Sequence, residues 1–170
     1  MKKLFTLVFA LVLISSCEDT DAIEISTSTS INESVMVNVL QTNGSAIGYD
    51  ETVTQDLTQV VSNFNDISNI NIDALSYKFK NVTGNTNAVI ESATIVINGN
   101  TIATISNVNI ALEATNSTVF PITDTAVLDQ LETLFLNNSS VTIQFSGMAI
   151  TDESDVSFEI EVSMDLTAIL

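Results

Sequence analysis

Histidine, tryptophan and arginine are absent from the 170 residues, and cysteine and proline occur once each. Each absence excludes a class of chemistry. Without histidine there is no Ser-His-Asp triad, no Cys-His pair and no histidine-bearing zinc site, and without arginine there is no guanidinium clamp for a transferred phosphoryl group. Five glycines are scattered along the chain, and none forms the Gly-x-Gly-x-x-Gly loop of nucleotide sites. Positive charge is nearly missing: Lys2, Lys3, Lys78 and Lys80 stand against 21 carboxylates, for a formal charge of −17. A chain so anionic cannot neutralise phosphates, so nucleic acid and anionic lipid head groups are poor partners, whereas divalent cations and basic surfaces remain open. The polyanion still folds, because 45% of its residues are hydrophobic and recur periodically.

What is present is most informative at the start. Met1-Lys2-Lys3 leads into an apolar run from Leu4 to Ile14, followed by Ser15, Ser16 and the single Cys17. The run has about eleven residues where a bilayer core needs about twenty, so it has the form of a cleaved secretory leader and not of a membrane span. Residues 14–17, small residues directly before a cysteine, closely resemble the lipobox of bacterial lipoproteins. That resemblance implies that Cys17 is acylated on its sulfur and becomes the first residue of the mature chain. With its one cysteine so committed, the exported chain has no internal disulfide. Several acyl chains exceed what stable anchoring requires, so membrane attachment needs no basic patch.

Three segments are therefore expected: residues 1–16 as signal peptide, 17–30 as a lipidated polar tether, and 31–170 as one β-rich domain. Loss of residues 1–16 leaves 154, enough for one sizeable core. Lys2 and Lys3 leave with the leader, which takes the formal charge to −19. The tether combines Glu18, Asp19 and Asp21 with the run Ser26-Thr27-Ser28-Thr29-Ser30, part of which is able to pair as an edge strand. Acidic residues just after the cysteine resemble the surface-export signals of Bacteroidota lipoproteins. The resemblance implies residence at the outer membrane, facing the cell surface.

Period-two alternation dominates the domain. Val35, Val37 and Val39 form one strand face, and Leu75, Tyr77 and Phe79 form another with Ser76, Lys78 and Lys80 opposite. Residues 89–97 and 101–108 flank Asn98-Gly99 and read as a β-hairpin. Strands at 141–150 and 156–166, separated by five polar residues, read as a second hairpin. In the last strand Val156, Phe158, Ile160, Val162, Met164 and Leu166 point one way and Ser157, Glu159, Glu161, Ser163 and Asp165 the other. Two stretches carry helical spacing. Val53, Leu57, Val60, Val61 and Phe64 place one helix at residues 50–64, and Val127, Leu128, Leu131, Leu134 and Phe135 place the other behind an Asp124 N-cap. Residues 109–120 carry no decisive pattern. The fold class expected is mainly β, an antiparallel β-sandwich with two short helices; the alternative is an α+β fold with both helices on one face of a single antiparallel sheet.

Few residues are candidates for chemistry. Ser76 and Lys78 share a strand face as a serine-lysine dyad would, although a lysine base needs burial to lose its proton. Glu159 and Glu161 lie on one face roughly 6.7 Å apart by strand rise, a carboxylate pair of the kind glycoside hydrolases use. Asp152, Glu153 and Asp155 crowd one connection and are the calcium candidate, although the Asp-x-Asp-x-Asp-Gly loop is absent. Glu159 and Glu161 are also expected to face Lys78 and Lys80 across paired strands. Asp124-Thr125-Ala126 resembles the O-glycosylation sequon of the Bacteroidota, which would make Thr125 the acceptor. No catalytic residue and no cofactor is assigned. The function expected is a lipid-anchored envelope protein with a non-catalytic binding, adhesion or structural role, held to the membrane through Cys17. The alternatives are a carrier of a small apolar ligand between the sheets and a carboxylate-based glycoside hydrolase.

Overall fold

One strand organises the computed structural model, which describes residues 26–59 and 67–169. β8 (Val156–Ile169) buries Val156, Phe158, Ile160, Val162, Met164, Leu166 and Ala168 on one face. It runs antiparallel between β1 (Ser26–Val39) and β3 (Asn69–Gly84), and a two-residue strand β6 (Phe120–Pro121) lies beyond β3. The second sheet has the order β2 (Ile47–Asp56), β7 (Ser140–Ile150), β4 (Val89–Ile97), β5 (Asn100–Asn109). The two four-stranded antiparallel sheets stack as a β-sandwich, as the alternating apolar faces require. Between them Tyr49 lies 5.1 Å from Phe145, and Phe158 lies 6.3 Å from Phe145 and 6.0 Å from Phe79, ring centre to ring centre. Such ring pairs add about 0.5–1.5 kcal/mol each beyond the area they bury.

Two short helices close the flank between β3 and β5. α2 (Thr125–Asn137) is where the spacing placed it: Asp124 Oδ1 accepts the N–H groups of Ala126 (3.0 Å) and Val127 (3.4 Å), and Leu131 and Phe135 are buried. α1 (Ile110–Asn116) occupies the stretch without a decisive pattern. Asn109 caps its start by accepting the Leu112 N–H at 2.8 Å. Ser117, at φ +52°, ends it with the paired bonds Ser117 N–H to Ala114 O and Thr118 N–H to Glu113 O.

The helix expected at residues 50–64 is corrected. Residues 50–56 belong to β2 and Leu57–Gln59 form a single 3-10 turn, while positions 60–66 lie outside the described residues. Val53 and Leu57 are four apart, a spacing that fits both a helical stripe and a strand face. Tyr49, Glu51, Val53 and Gln55 are the half-buried, inward set of β2. The β-branched run Thr52-Val53-Thr54 and a full partner in β7 decide for the strand.

The second hairpin is also corrected. β7 and β8 are consecutive but lie in different sheets, so 151–155 bridges the sandwich and does not turn back within one sheet. Phe145 and Phe158 meet face to sheet face across the core, each strand burying its apolar side against the other. Only β4 and β5 are sequence neighbours that pair within a sheet among the described residues, and their turn has Asn98 at φ +46° and Gly99 at φ +86°, the two positive angles a tight hairpin needs.

β1 begins at Ser26, so pairing with β8 takes in residues 26–30, placed in the tether by the boundary near residue 30. In β3 the inward set changes phase between Ile72 and Leu75, and a bulge at Asp73 supplies the extra residue. The Ile72 N–H is taken at 2.8 Å by Glu132 Oε1 of α2, which covers part of the edge that short β6 leaves open.

Candidate functional site

At one pole of the sandwich three connections meet: 40–46 between β1 and β2, 85–88 between β3 and β4, and 151–155 between β7 and β8. They are joined through Thr42, Asn85 and Thr151, polar side chains only 7, 4 and 1% exposed. Burial of such groups is tolerable only when each is hydrogen-bonded. Thr42 N–H donates to Thr151 O (2.9 Å), and Thr151 N–H donates back to Thr42 Oγ1 (3.1 Å). Asn85 Nδ2 donates to Thr151 Oγ1 (2.9 Å), whose own hydrogen goes to Ser154 O. Asn85 Oδ1 accepts the Asn87 N–H (2.8 Å), and Asn85 N–H reaches Asp155 O (3.0 Å).

The calcium candidates sit on this network. Asp152 Oδ1 accepts the Gly44 N–H and the Thr42 hydroxyl (3.3 Å), and Asp155 Oδ1 accepts the Gln41 N–H (2.7 Å). Glu153 Oε1 accepts from Asn87 Nδ2 at 3.4 Å. Asp152 and Asp155 thus hold the 40–46 loop to the 151–155 connection. Among the described residues no three histidine, cysteine or acidic side chains converge closely enough to hold a metal ion. An open cleft of about 320 Å³ lies beside the network, lined by Asn85, Asn87, Val89, Ile150, Asp152 and Glu153. Chemically this pole is a stiff, acidic, amide-rich surface.

The outer face of the first sheet carries the other charge cluster. Lys78 is directly opposite Glu161 and Lys80 directly opposite Glu159, the facing expected of the only two cations of the domain once β3 and β8 pair. Glu161 bridges both cations, with Lys78 Nζ and Lys80 Nζ each 2.6 Å from its oxygens, and Lys80 also lies 3.4 Å from Glu159. Hydrogen bonds from Lys78 and then Lys80 hold the Glu161 carboxyl below its ordinary range, against a smaller upward push from burial. The Glu161 hydrogen bond likewise holds the Lys80 ammonium above its ordinary value. A glycosidase general acid needs the reverse shift. Lys78 is bound to a carboxylate and not to Ser76, so the structure does not assemble the serine-lysine pair.

Tyr49 was not singled out by any sequence pattern. Its ring packs on Phe145 and Phe158, and its buried hydroxyl has no hydrogen-bond partner among the described residues. Burial pushes its pKa up. With Phe79, these rings occupy the space between the sheets where an apolar ligand would sit. Thr125, the first residue of α2, is exposed, and capping is done by the neighbouring Asp124 carboxylate, so its hydroxyl stays accessible. Cys17 lies outside the described residues. No helix among the described residues is long and apolar enough to cross a membrane.

The Thr42-Asn85-Thr151 network escaped sequence reasoning almost entirely. Thr83-Gly84-Asn85 carries a turn signal, yet nothing local announces that Thr42 meets Thr151 across 109 positions.

No protein-family model and no curated protein sequence matches this chain. Among solved structures, crystal structures of the BFDV capsid protein in decameric and 60-mer form are similar to it at TM-scores of 0.39 and 0.36. Identity is 8% in both, over 85% of this chain and 99% and 94% of the respective capsid chains. Similarity at that level carries nothing about function.

Proposed function

We propose that this protein is an exported lipoprotein, acylated at Cys17 and anchored in the outer membrane, whose β-sandwich serves a binding, adhesion or structural role and no catalytic one. The carrying observation is the leader: a charged start, a short apolar run and small residues directly before the chain's single cysteine. Other features support it. β1 is an edge strand whose first described residue, Ser26, sits opposite Ile169 at one end of the sandwich, nine positions after Cys17 in sequence. The acidic residues after Cys17 favour the cell-surface face. The −19 charge makes nucleic acid a poor partner. Glu161 and Glu159, bound to lysines, suit a solvated ion-pair ladder better than glycoside hydrolysis, and the rings of Tyr49, Phe79, Phe145 and Phe158 fill the centre of the sandwich where a carried apolar ligand would lie.

Metabolic labelling with a fatty-acid analogue tests this directly. The wild-type protein takes up the label and Cys17→Ser does not; equal labelling of the two would overturn the lipoprotein reading.

A further inference from the structure

Two stacked sheets have four edges, and among the described residues these are β1 and β6 in the first sheet and β2 and β5 in the second. An edge strand offers backbone N–H and C=O groups to any other chain, and proteins guard against such pairing with charge, proline, bulges or a covering element. Three of the four edges are guarded. β2 carries Asp50, Glu51 and Asp56 within ten residues. β5 is interrupted by a register shift at Ile102 and by Asn107 at φ +53°. β6 is two residues long and ends in Pro121, and Glu132 of α2 occupies the Ile72 N–H farther along β3. β1 has no comparable guard: its register with β8 is unbroken over all 14 residues, it contains no proline, glycine or lysine, and Glu33 is its one charged residue.

The stretch from Ile31 to Val39 is also close to palindromic about Val35, with Ile31 answering Val39 and Asn32 answering Asn38. Antiparallel pairing sets such a strand against itself with like side chains opposite one another. We infer that residues 31–39 of β1 pair antiparallel with the same residues of a second copy of this chain, centred on Val35, joining the two first sheets into one of eight strands, four from each copy. Asn32 of each copy then faces Asn38 of the other, Ser34 faces Met36, and Ile31 faces Val39, each pair occurring twice about the two-fold axis. The buried row Ile31, Val35, Val37 and Val39 continues into that of the second copy, and Met36, 57% exposed on the outer face, is covered. Charge does not oppose the contact. The two Glu33 residues end four positions apart along the paired strands, about 13 Å, which exceeds the screening length of about 8 Å at physiological salt. Glu159 and Glu161, the β8 carboxylates beside Met36 and Ser34, are already held by Lys80 and Lys78. Leu112, Val119 and Leu136 are exposed as well, on the helical flank at the opposite edge of the sandwich, and that flank is the rival interface the experiment must separate.

The pairing is independent of the anchor at Cys17, and its test uses the full-length protein in a density-matched detergent. Sedimentation equilibrium across a concentration series is expected to show a reversible dimer. Met36→Glu, which adds a carboxylate from each copy to the contact, is expected to weaken the dimer by about tenfold or more, while Met148→Glu on the outer face of the second sheet leaves it unchanged. Circular dichroism of both variants checks that the sandwich stays folded. Under mild oxidation the double variant Asn32→Cys/Asn38→Cys is expected to give a covalent dimer that neither single variant gives, since only the double variant brings two new thiols opposite each other; the single variants also control for Cys17. A monomer at every concentration would overturn the inference. So would a dimer that survives Met36→Glu and dissociates with Leu112→Glu, or a double variant that crosslinks no better than the single ones.

Discussion

Thr151→Val removes one hydroxyl and keeps the shape of the side chain, which makes it the sharpest probe of the loop pole. The lost oxygen accepts from Asn85 Nδ2 at 2.9 Å and donates to Ser154 O. Asn85 is 4% exposed, so its amide N–H cannot turn to water and is left unpaired at a cost of about 1–3 kcal/mol. Ser154 lies in an exposed connection, and its carbonyl recovers part of its loss from solvent. The added methyl offsets a fraction of a kcal/mol through burial. The sum is a destabilisation of roughly 2–3 kcal/mol, or a melting midpoint about 5–10 °C lower for a domain of this size. Urea unfolding followed by circular dichroism measures it, with an unchanged m-value showing that the folded and unfolded surfaces are the same. In a double-mutant cycle with Asn85→Ala the two losses are expected to overlap by more than about 0.5 kcal/mol, because they break one shared bond. A Thr151→Val protein within about 0.5 kcal/mol of wild type would refute the reasoning, since it would mean that the network confers no stability on this pole.

Two further outcomes follow from particular residues. Because its folded pKa is lowered, the stability Glu161 contributes is complete above the ordinary glutamate value near 4.3 and is lost as pH falls through the folded value. Lys80, raised, contributes fully below about 10.4 and loses its share as pH rises through its folded value. Glu161→Gln should flatten the acid-side loss and lower neutral-pH stability by about 0.5–1 kcal/mol, the scale of partly exposed ion pairs, which a pH series of unfolding curves would read. Gly84 and Gly99 both sit near φ +87°, but a Cβ at Gly84 would run into the Asp155 carbonyl whereas one at Gly99 meets open space. Gly84→Ala is therefore expected to cost more than about 3 kcal/mol and Gly99→Ala about 1–2 kcal/mol; equal midpoints would refute the claimed contact.

How far the chain could be read before its structure depended on how far apart the interacting residues lie. The inward face of β8, the Asn98-Gly99 turn, the cap at Asp124 and the stripe of α2 were legible because each is set within a few neighbouring positions by pleat, turn chemistry or helical spacing. The lysine and glutamate ladder was legible too, since the only available cations and a carboxylate pair shared matching strand faces. α1 was missed although its Ile110-Ala111-Leu112-Glu113 start favours a helix, because too few turns exist for a stripe to show. At residues 50–56 the spacing served two periods equally well, and the neighbouring β7 chose between them.

By itself the sequence determined that the chain is acidic and mainly β, that it opens on a charged start and a short apolar run before its single cysteine, and that histidine-based and arginine-based sites are closed to it. Those properties are sums or short-range patterns, indifferent to how distant segments meet. Only the tertiary structure decided that β7 and β8 face each other across the core, that Asp152 and Asp155 pin the 40–46 loop, and that Thr42, Asn85 and Thr151 share one buried network. Each of these depends on which strands become neighbours, and that is settled when two apolar faces must be hidden from water at once and every polar group trapped between the connections must find a partner.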